Sequence, residues 1–328
     1  MKRRRLLAAA AVSGISCSKN EIKPDANARG PMPKSTVAIL KAASYEQELL
    51  SVLESGLAAA WPDAAQTLRG KNILLKPNLV EFDSNTCINT DPRLVLAARE
   101  MFLKLGAARV WIGEGPGHRR DTWDLADQAG YRKIVSDFDD NFVDLNLDDV
   151  RPVRAFGDSM DLYLPKTLLD VDLVVSVAKM KTHHWAGATL SMKNFFGIVP
   201  GAIYGWPKNL LHYQGIDRSI VELNRIVRHS FAIVDGIVAM QGNGPIQGTP
   251  VGAGVIVMGK DVAAVDSTCA RLMKLDPLKI RYLQDAASLK LPGLGAIEET
   301  QIEQRGELIS GLAKPFHVVD EFAHLRLA

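Results

Sequence analysis

Seven basic side chains crowd residues 179–212: Lys179, Lys181, His183, His184, Lys193, Lys208 and His212. They follow Leu173-Val174-Val175-Ser176-Val177, an apolar run that predicts a buried strand. Amines and imidazoles packed this closely repel one another unless an anion lies between them. In an extended backbone Lys179, Lys181 and His183 share one face, while Met180, Thr182 and His184 share the other. The spacing therefore predicts the floor of a site for an anionic substrate or cofactor at the carboxyl end of a strand. A solvated charged edge is the alternative.

Farther along the stretch, Lys193 stands between Leu190-Ser191-Met192 and Asn194-Phe195-Phe196. An apolar neighbourhood lowers a lysine's pKa and makes its amine nucleophilic, whereas stem burial with a solvated head is the plainer reading. His212 is a candidate metal ligand if His183 and Lys193 lie beside it.

Two earlier segments carry the same signature. Lys76 ends the apolar run Ile73-Leu74-Leu75 and precedes Pro77-Asn78, so it can meet a carboxylate or phosphate as a point charge. His118 lies in Gly115-Pro116-Gly117-His118-Arg119-Arg120 just ahead of a helix start, where anions are favoured and a histidine can move a proton. Any one of these loops is explained by solvated charge. Three loaded strand ends together point to one site, with Lys76, His118 and His183 as its catalytic candidates.

The elements that must position them alternate. Strands are predicted at 36–40, 71–75, 109–113, 173–177, 231–234, 254–258 and 316–319. Helices are predicted at 45–60, 91–105, 121–130, 216–228, 262–274 and 280–287. Asp91-Pro92 supplies a helix start with a mechanism, because proline at the first helical position wastes no N–H. This order predicts an α/β fold with a mostly parallel sheet and helices on both faces. Two lobes meeting near residue 213 and one compact domain both remain open.

Composition excludes several classes. Of 328 residues, 47% are hydrophobic and 23% charged, which argues against disorder or a coiled coil. Met1-Lys2-Arg3-Arg4-Arg5 and the apolar run after it read as a secretory signal of lipoprotein or twin-arginine type over residues 1–16. Cys17 is then a lipidation site, followed by a flexible tether to residue 35 and an α/β domain over 36–328. Residues 1–16 hold four Lys/Arg and no Asp/Glu, which leaves 35 basic against 37 acidic residues, a formal −2. That balance does not suit nucleic acid. The expected location is exported, in the periplasm or anchored to a membrane through Cys17 alone. Without a C-x-x-C pair, an iron–sulfur cluster or cysteine zinc site within this chain is not expected.

Leu75-Lys76-Pro77-Asn78-Leu79, Lys179-Met180-Lys181-Thr182-His183 and Leu190-Ser191-Met192-Lys193-Asn194 with Gly197-Ile198-Val199-Pro200-Gly201 resemble the family called domain of unknown function 362. A more distant resemblance is to the N-terminal domain of nickel-pincer lactate racemases. It rests on Lys76-Pro77, Gly117-His118-Arg119, His183 ahead of Lys193 and Pro200-Gly201, and the later His212. This resemblance implies that Lys193 tethers a nickel-bearing cofactor, that His212 ligates its metal, and that His118 and His183 exchange a hydroxyl proton. Lys179, Lys181 and Asn194 join Lys193 as expected cofactor contacts. The chain reads as an exported enzyme acting on a small hydroxy-acid-like anion, of racemase, isomerase or oxidoreductase type. The competing reading is a lipid-anchored anion-binding protein without turnover.

Overall fold

The computed structural model describes residues 34–227 and 229–327. The expected signal sequence, Cys17 and nearly all of the expected tether lie outside the described residues. Twelve strands are present among those described: β1 Ser35–Lys41, β2 Asn72–Pro77, β3 Arg109–Glu114, β4 Phe142–Asp144, β5 Val150–Ala155, β6 Met160–Pro165, β7 Leu173–His183, β8 Gly187–Thr189, β9 Ser230–Asn243, β10 Gln247–Val251, β11 Val255–Gly259 and β12 Ile302–Gly306. The main sheet runs β12-β1-β11-β9-β7-β2-β3-β4, with β8 paired to β7 and β10 to β9. Along that path β11 is antiparallel to both neighbours and the other pairs are parallel, so the sheet is mostly parallel.

Alternation along the strands decides which helices cover which face. Val37 and Ile39 pack with the helices Val262–Leu272 and Arg281–Ser288. Ala38, Ile73, Leu75, Val175 and Val177 face the helices Leu49–Ala60 and Pro92–Lys104. Both faces are thus buried, which explains why the strands read as near-continuous apolar runs. The start of the second of these helices follows its sequence signal, with Asp91 accepting from the Arg93 N–H and Pro92 in the first turn.

Several boundaries differ from expectation. β7 continues through the charged residues to His183, because its pairing with β2 is followed by pairing with β8 and β9. β5 and β6 form a separate two-stranded sheet that no long apolar run announced. The final strand is β12, at 302–306; Val318 makes an isolated bridge to Gly242. Strands from both sides of residue 213 interleave in one sheet, with β1 lying between β12 and β11.

Candidate functional site

The carboxyl ends of β2, β3 and β7 converge on a cavity of about 610 Å³. Among its lining residues are Lys76, Glu114, His118, His183, His184, Lys193, Asn194, Lys208 and His212, together with Asn243, Pro245 and Gln247 of the β9–β10 hairpin. The edge location is the one expected where parallel strands end.

At the base lies a buried ion pair. Lys76 Nζ donates to Glu114 Oε1 at 2.7 Å, to the Pro77 carbonyl at 3.0 Å and to Asn194 Oδ1 at 3.1 Å. Glu114 also accepts from the N–H groups of Leu79 and Gly115. Burial pushes the Lys76 pKa down, and Glu114 opposes that shift. Lys76 is therefore a structural cation whose donors are taken, so the expected substrate carboxylate contact has no free N–H to use. Asn194 is engaged likewise, donating to the Lys76 carbonyl and to Ser176 Oγ. Gly197 packs directly over the pair; a Cβ there would collide with Glu114 Oε1 and the Lys76 amine.

Lys193 is placed differently. It belongs to the single turn Ser191–Asn194, whose start is held by Asp266: the N–H groups of Ser191 and Met192 donate to its carboxylate at 2.8 and 3.0 Å. The Lys193 amine lies 4.5 Å from the centre of the Phe196 ring and has no hydrogen-bond acceptor among the described residues. Burial lowers its pKa to about 8. Burial pushes Asp266 up to about 7, against the hydrogen bonds from Ser191 and Met192. Lys208, in a left-handed backbone conformation at φ 66°, donates to the carbonyls of Gly115 at 2.6 Å and Phe196 at 3.2 Å. Burial lowers it to about 7.

The histidines form one wall. His183 and His184 stack, Trp185 meets His184 edge-on at 4.8 Å, and Trp185 meets His212 at 5.5 Å. Burial first, then Lys193 and other cationic neighbours, holds His183 well below the usual imidazole range. Burial also lowers His212, whose Nδ1 has no hydrogen-bond partner among the described residues. His118 stands in the exposed loop at the rim. The helix that follows it is capped by Asp121, which accepts from the Asp124 N–H, so the protein's own carboxylate already occupies that helix start.

Two expected contacts do not reach the cavity. Lys179 and Lys181 find their partners inside the protein instead. Lys179 Nζ pairs with Asp235 at 2.9 Å and donates to Tyr45 Oη at 2.7 Å. Lys181 Nζ donates to the carbonyls of Ile88 at 2.9 Å and Pro245 at 3.4 Å. Asp235 sits opposite Lys179 through the β7–β9 register, a long-range pairing that local spacing does not reveal. Glu114, Lys208, His184 and the 243–247 hairpin line the candidate site and were left aside by sequence reasoning. Of these, Glu114 had a signal, being the carboxylate at a strand end two residues from a Pro-Gly turn.

The nickel-pincer group implied by the racemase resemblance requires an amine to carry it and an imidazole to meet its metal. The Lys193 amine and the His212 ring both line this cavity, and the buried His212 Nδ1 has no hydrogen-bond partner among the described residues, so the pair fits such a group. Among the described residues no group of three or more His, Cys, Asp or Glu side chains is placed to hold a metal ion.

The fold and the cavity define an α/β protein with a basic, histidine-lined site at the carboxyl edge of a mostly parallel sheet. The chain belongs to the family described as domain of unknown function (DUF362), which it matches over residues 73–271. It is 30% identical over 259 residues to a thylakoid-associated protein of Synechocystis sp., covering 75% of this chain and 76% of that relative. Among solved structures it is similar to the lactate racemase apoprotein of Thermoanaerobacterium thermosaccharolyticum, with a TM-score of 0.47 and 14% identity. That likeness covers 74% of this chain and 57% of the racemase, so the chain spans little more than half of the racemase's length. A crystal structure of a Thermotoga maritima protein is similar at a TM-score of 0.33 and 13% identity, over 61% of this chain and 53% of that one. Both scores fall below 0.5, so the fold rests on the sheet itself.

Proposed function

We propose that this protein binds a small organic anion, of hydroxy-acid type, in the cavity and acts on it by proton transfer. One observation carries the reading. Lys193 offers an unpaired amine among four histidines, and the sole lining carboxylate, Glu114, is already taken by Lys76. A cavity with surplus cationic groups and low-dielectric walls concentrates anions. Lys193 would hold the anionic group, and His118 at the rim would exchange a proton with solvent. If a group of the nickel-pincer type is bound instead, Lys193 and His212 would hold it in place of that contact, and it would supply an electrophilic centre.

Binding without turnover is the second reading, favoured by the state of His183: its Nδ1 is tied to two backbone N–H groups, which suits a fixed donor better than a base. The two readings separate in one experiment. Small carboxylates are expected to raise the melting temperature of the wild-type protein, and Lys193→Met to abolish that rise. Turnover predicts that bound 2-hydroxy acids exchange their Cα hydrogen with deuterated solvent and that His118→Ala slows the exchange. Bound acid without exchange leaves the binding role; no stabilisation by any carboxylate sinks both.

We further propose that the chain is exported and meets a membrane through a lipid on Cys17. The N-terminal signal pattern supports this, as does the thylakoid association of the relative. No helix of the described residues is long and apolar enough to cross a membrane. Radiolabelled palmitate should enter the wild-type protein expressed in a bacterium and not Cys17→Ser; equal labelling of both ends the proposal.

A further inference from the structure

His183 and His184 lie at the end of β7 with their ring centres 4.9 Å apart and their planes 18° from parallel. Both line the cavity, yet the backbone holds them in opposite hydrogen-bonding states. Nδ1 of His183 accepts from the N–H groups of Trp185 at 2.9 Å and Ala186 at 3.2 Å. A ring nitrogen that receives N–H donors carries no proton, so the neutral ring keeps its proton on Nε2. Nδ1 of His184 lies 2.6 Å from the Gly244 carbonyl oxygen. A carbonyl can only accept, so this Nδ1 donates and Nε2 of the neutral ring is a bare lone pair.

The acceptor is itself held in place. The Gly244 carbonyl also accepts the backbone N–H of His184 at 3.0 Å. Gly244 packs so closely on the Thr182 carbonyl that a Cβ would not fit. Neither ring can exchange roles without breaking these backbone bonds. No described residue donates to the His184 Nε2.

We propose that the pair reads the hydrogen-bonding pattern of the ligand: His183 Nε2–H donates to an anionic oxygen, and His184 Nε2 accepts from a hydroxyl, amine or acid O–H on the same molecule. This inference rests on the reading of the cavity as an anion site and narrows it. The favoured class is an anion that carries its own hydrogen-bond donor. An acid whose neighbouring oxygen is capped as an ether presents acceptors alone and sets a lone pair against His184. The assignment also moves the proton-accepting role from His183, where sequence reasoning placed it, to His184.

Two measurements test it. In the free protein at about pH 8, above the ordinary histidine range, long-range 15N–1H correlation spectra should show His183 as the Nε2–H tautomer and His184 as the Nδ1–H tautomer. The same tautomer in both rings overturns the proposal. Calorimetry then compares glycolate with methoxyacetate, which differ in the hydroxyl hydrogen. Glycolate should bind about tenfold more tightly, the worth of one hydrogen bond, and the preference should fall below about twofold in His184→Phe, which keeps a stacked ring. If His184→Phe does not fold, His184→Gln restores an acceptor oxygen on a comparable reach and must keep the glycolate preference; its loss counts against the assignment. Equal binding of the two acids to the wild-type protein sinks this inference alone. Failure of both acids to bind sinks the anion reading and this inference with it.

Discussion

At the scale of single residues, two lysines illustrate how burial and partners divide chemistry from scaffold. Lys76 and Lys193 both lie on the cavity, but Lys76 has three acceptors and Lys193 has an aromatic ring. With a pKa of about 8, a large share of the Lys193 amines is unprotonated in mildly alkaline solution, while ordinary lysines near 10.5 remain charged. An amine-directed acylating reagent used at limiting amount near about pH 8 should therefore modify Lys193 ahead of the exposed lysines. Peptide mass mapping reads the result; uniform modification across surface lysines would show that the site does not activate this amine. Sequence reasoning found Lys193 because its apolar neighbours are adjacent in the chain. It could not separate Lys179 from the site, because the answering Asp235 lies 56 positions away on β9.

At the scale of elements, the ends of β2 and β3 are joined by the Lys76–Glu114 pair, and the 195–198 turn closes on it at Gly197. Removing one partner of a buried pair leaves an uncompensated charge or forces deprotonation. Glu114→Gln should cost about 3–5 kcal/mol in unfolding free energy, and the double change Lys76→Met with Glu114→Leu should cost less than Glu114→Gln alone. Denaturant titration distinguishes the cases, and an equal or larger loss in the double variant would refute a pairing role. Gly197→Ala should cost about 1–3 kcal/mol through overpacking, since all three atoms that crowd the new methyl group belong to the tightly bonded pair. A stability matching the wild type would mean that the turn yields freely. Strand ends of this kind were legible from sequence because an apolar run stops abruptly at Lys-Pro or Glu-Gly-Pro. The β5–β6 hairpin was not, even though Gly157-Asp158-Ser159 between its strands is a turn signal, because Val150-Arg151-Pro152-Val153-Arg154 offers no long apolar run and carries a proline. β12, Ile302-Glu303-Gln304-Arg305-Gly306, is a polar edge strand whose pairing with β1 is a matter of tertiary contact.

At the scale of the whole molecule, a sheet whose interior holds several lysines has an unusual dependence of stability on pH. Lys181 and Lys208 each titrate at about 7 in the folded protein, because burial penalises their charge, against 10.5 for an ordinary lysine. Between those values the unfolded chain holds the proton and the folded chain has released it. Stability therefore rises with pH across that window, and the penalty for the buried charge is fully present below about 7. Asp266 acts with the opposite sign: its folded value of about 7 exceeds the ordinary 3.8, so its contribution declines from about 4 to about 7 and is constant above. Cys87, raised above its usual 9.0 by burial, opposes the lysines only once an unfolded thiol would ionise. In the interval from about pH 7 to about pH 8.5 the lysines act with little opposition, so the melting temperature should be higher at the upper end. The rise should shrink in the double variant Lys181→Met, Lys208→Met, which has no amine to titrate at either place, and keep only the part due to Lys193 at about 8. A wild-type midpoint that stays level or falls over this interval would mean that the two amines keep their protons in the folded protein.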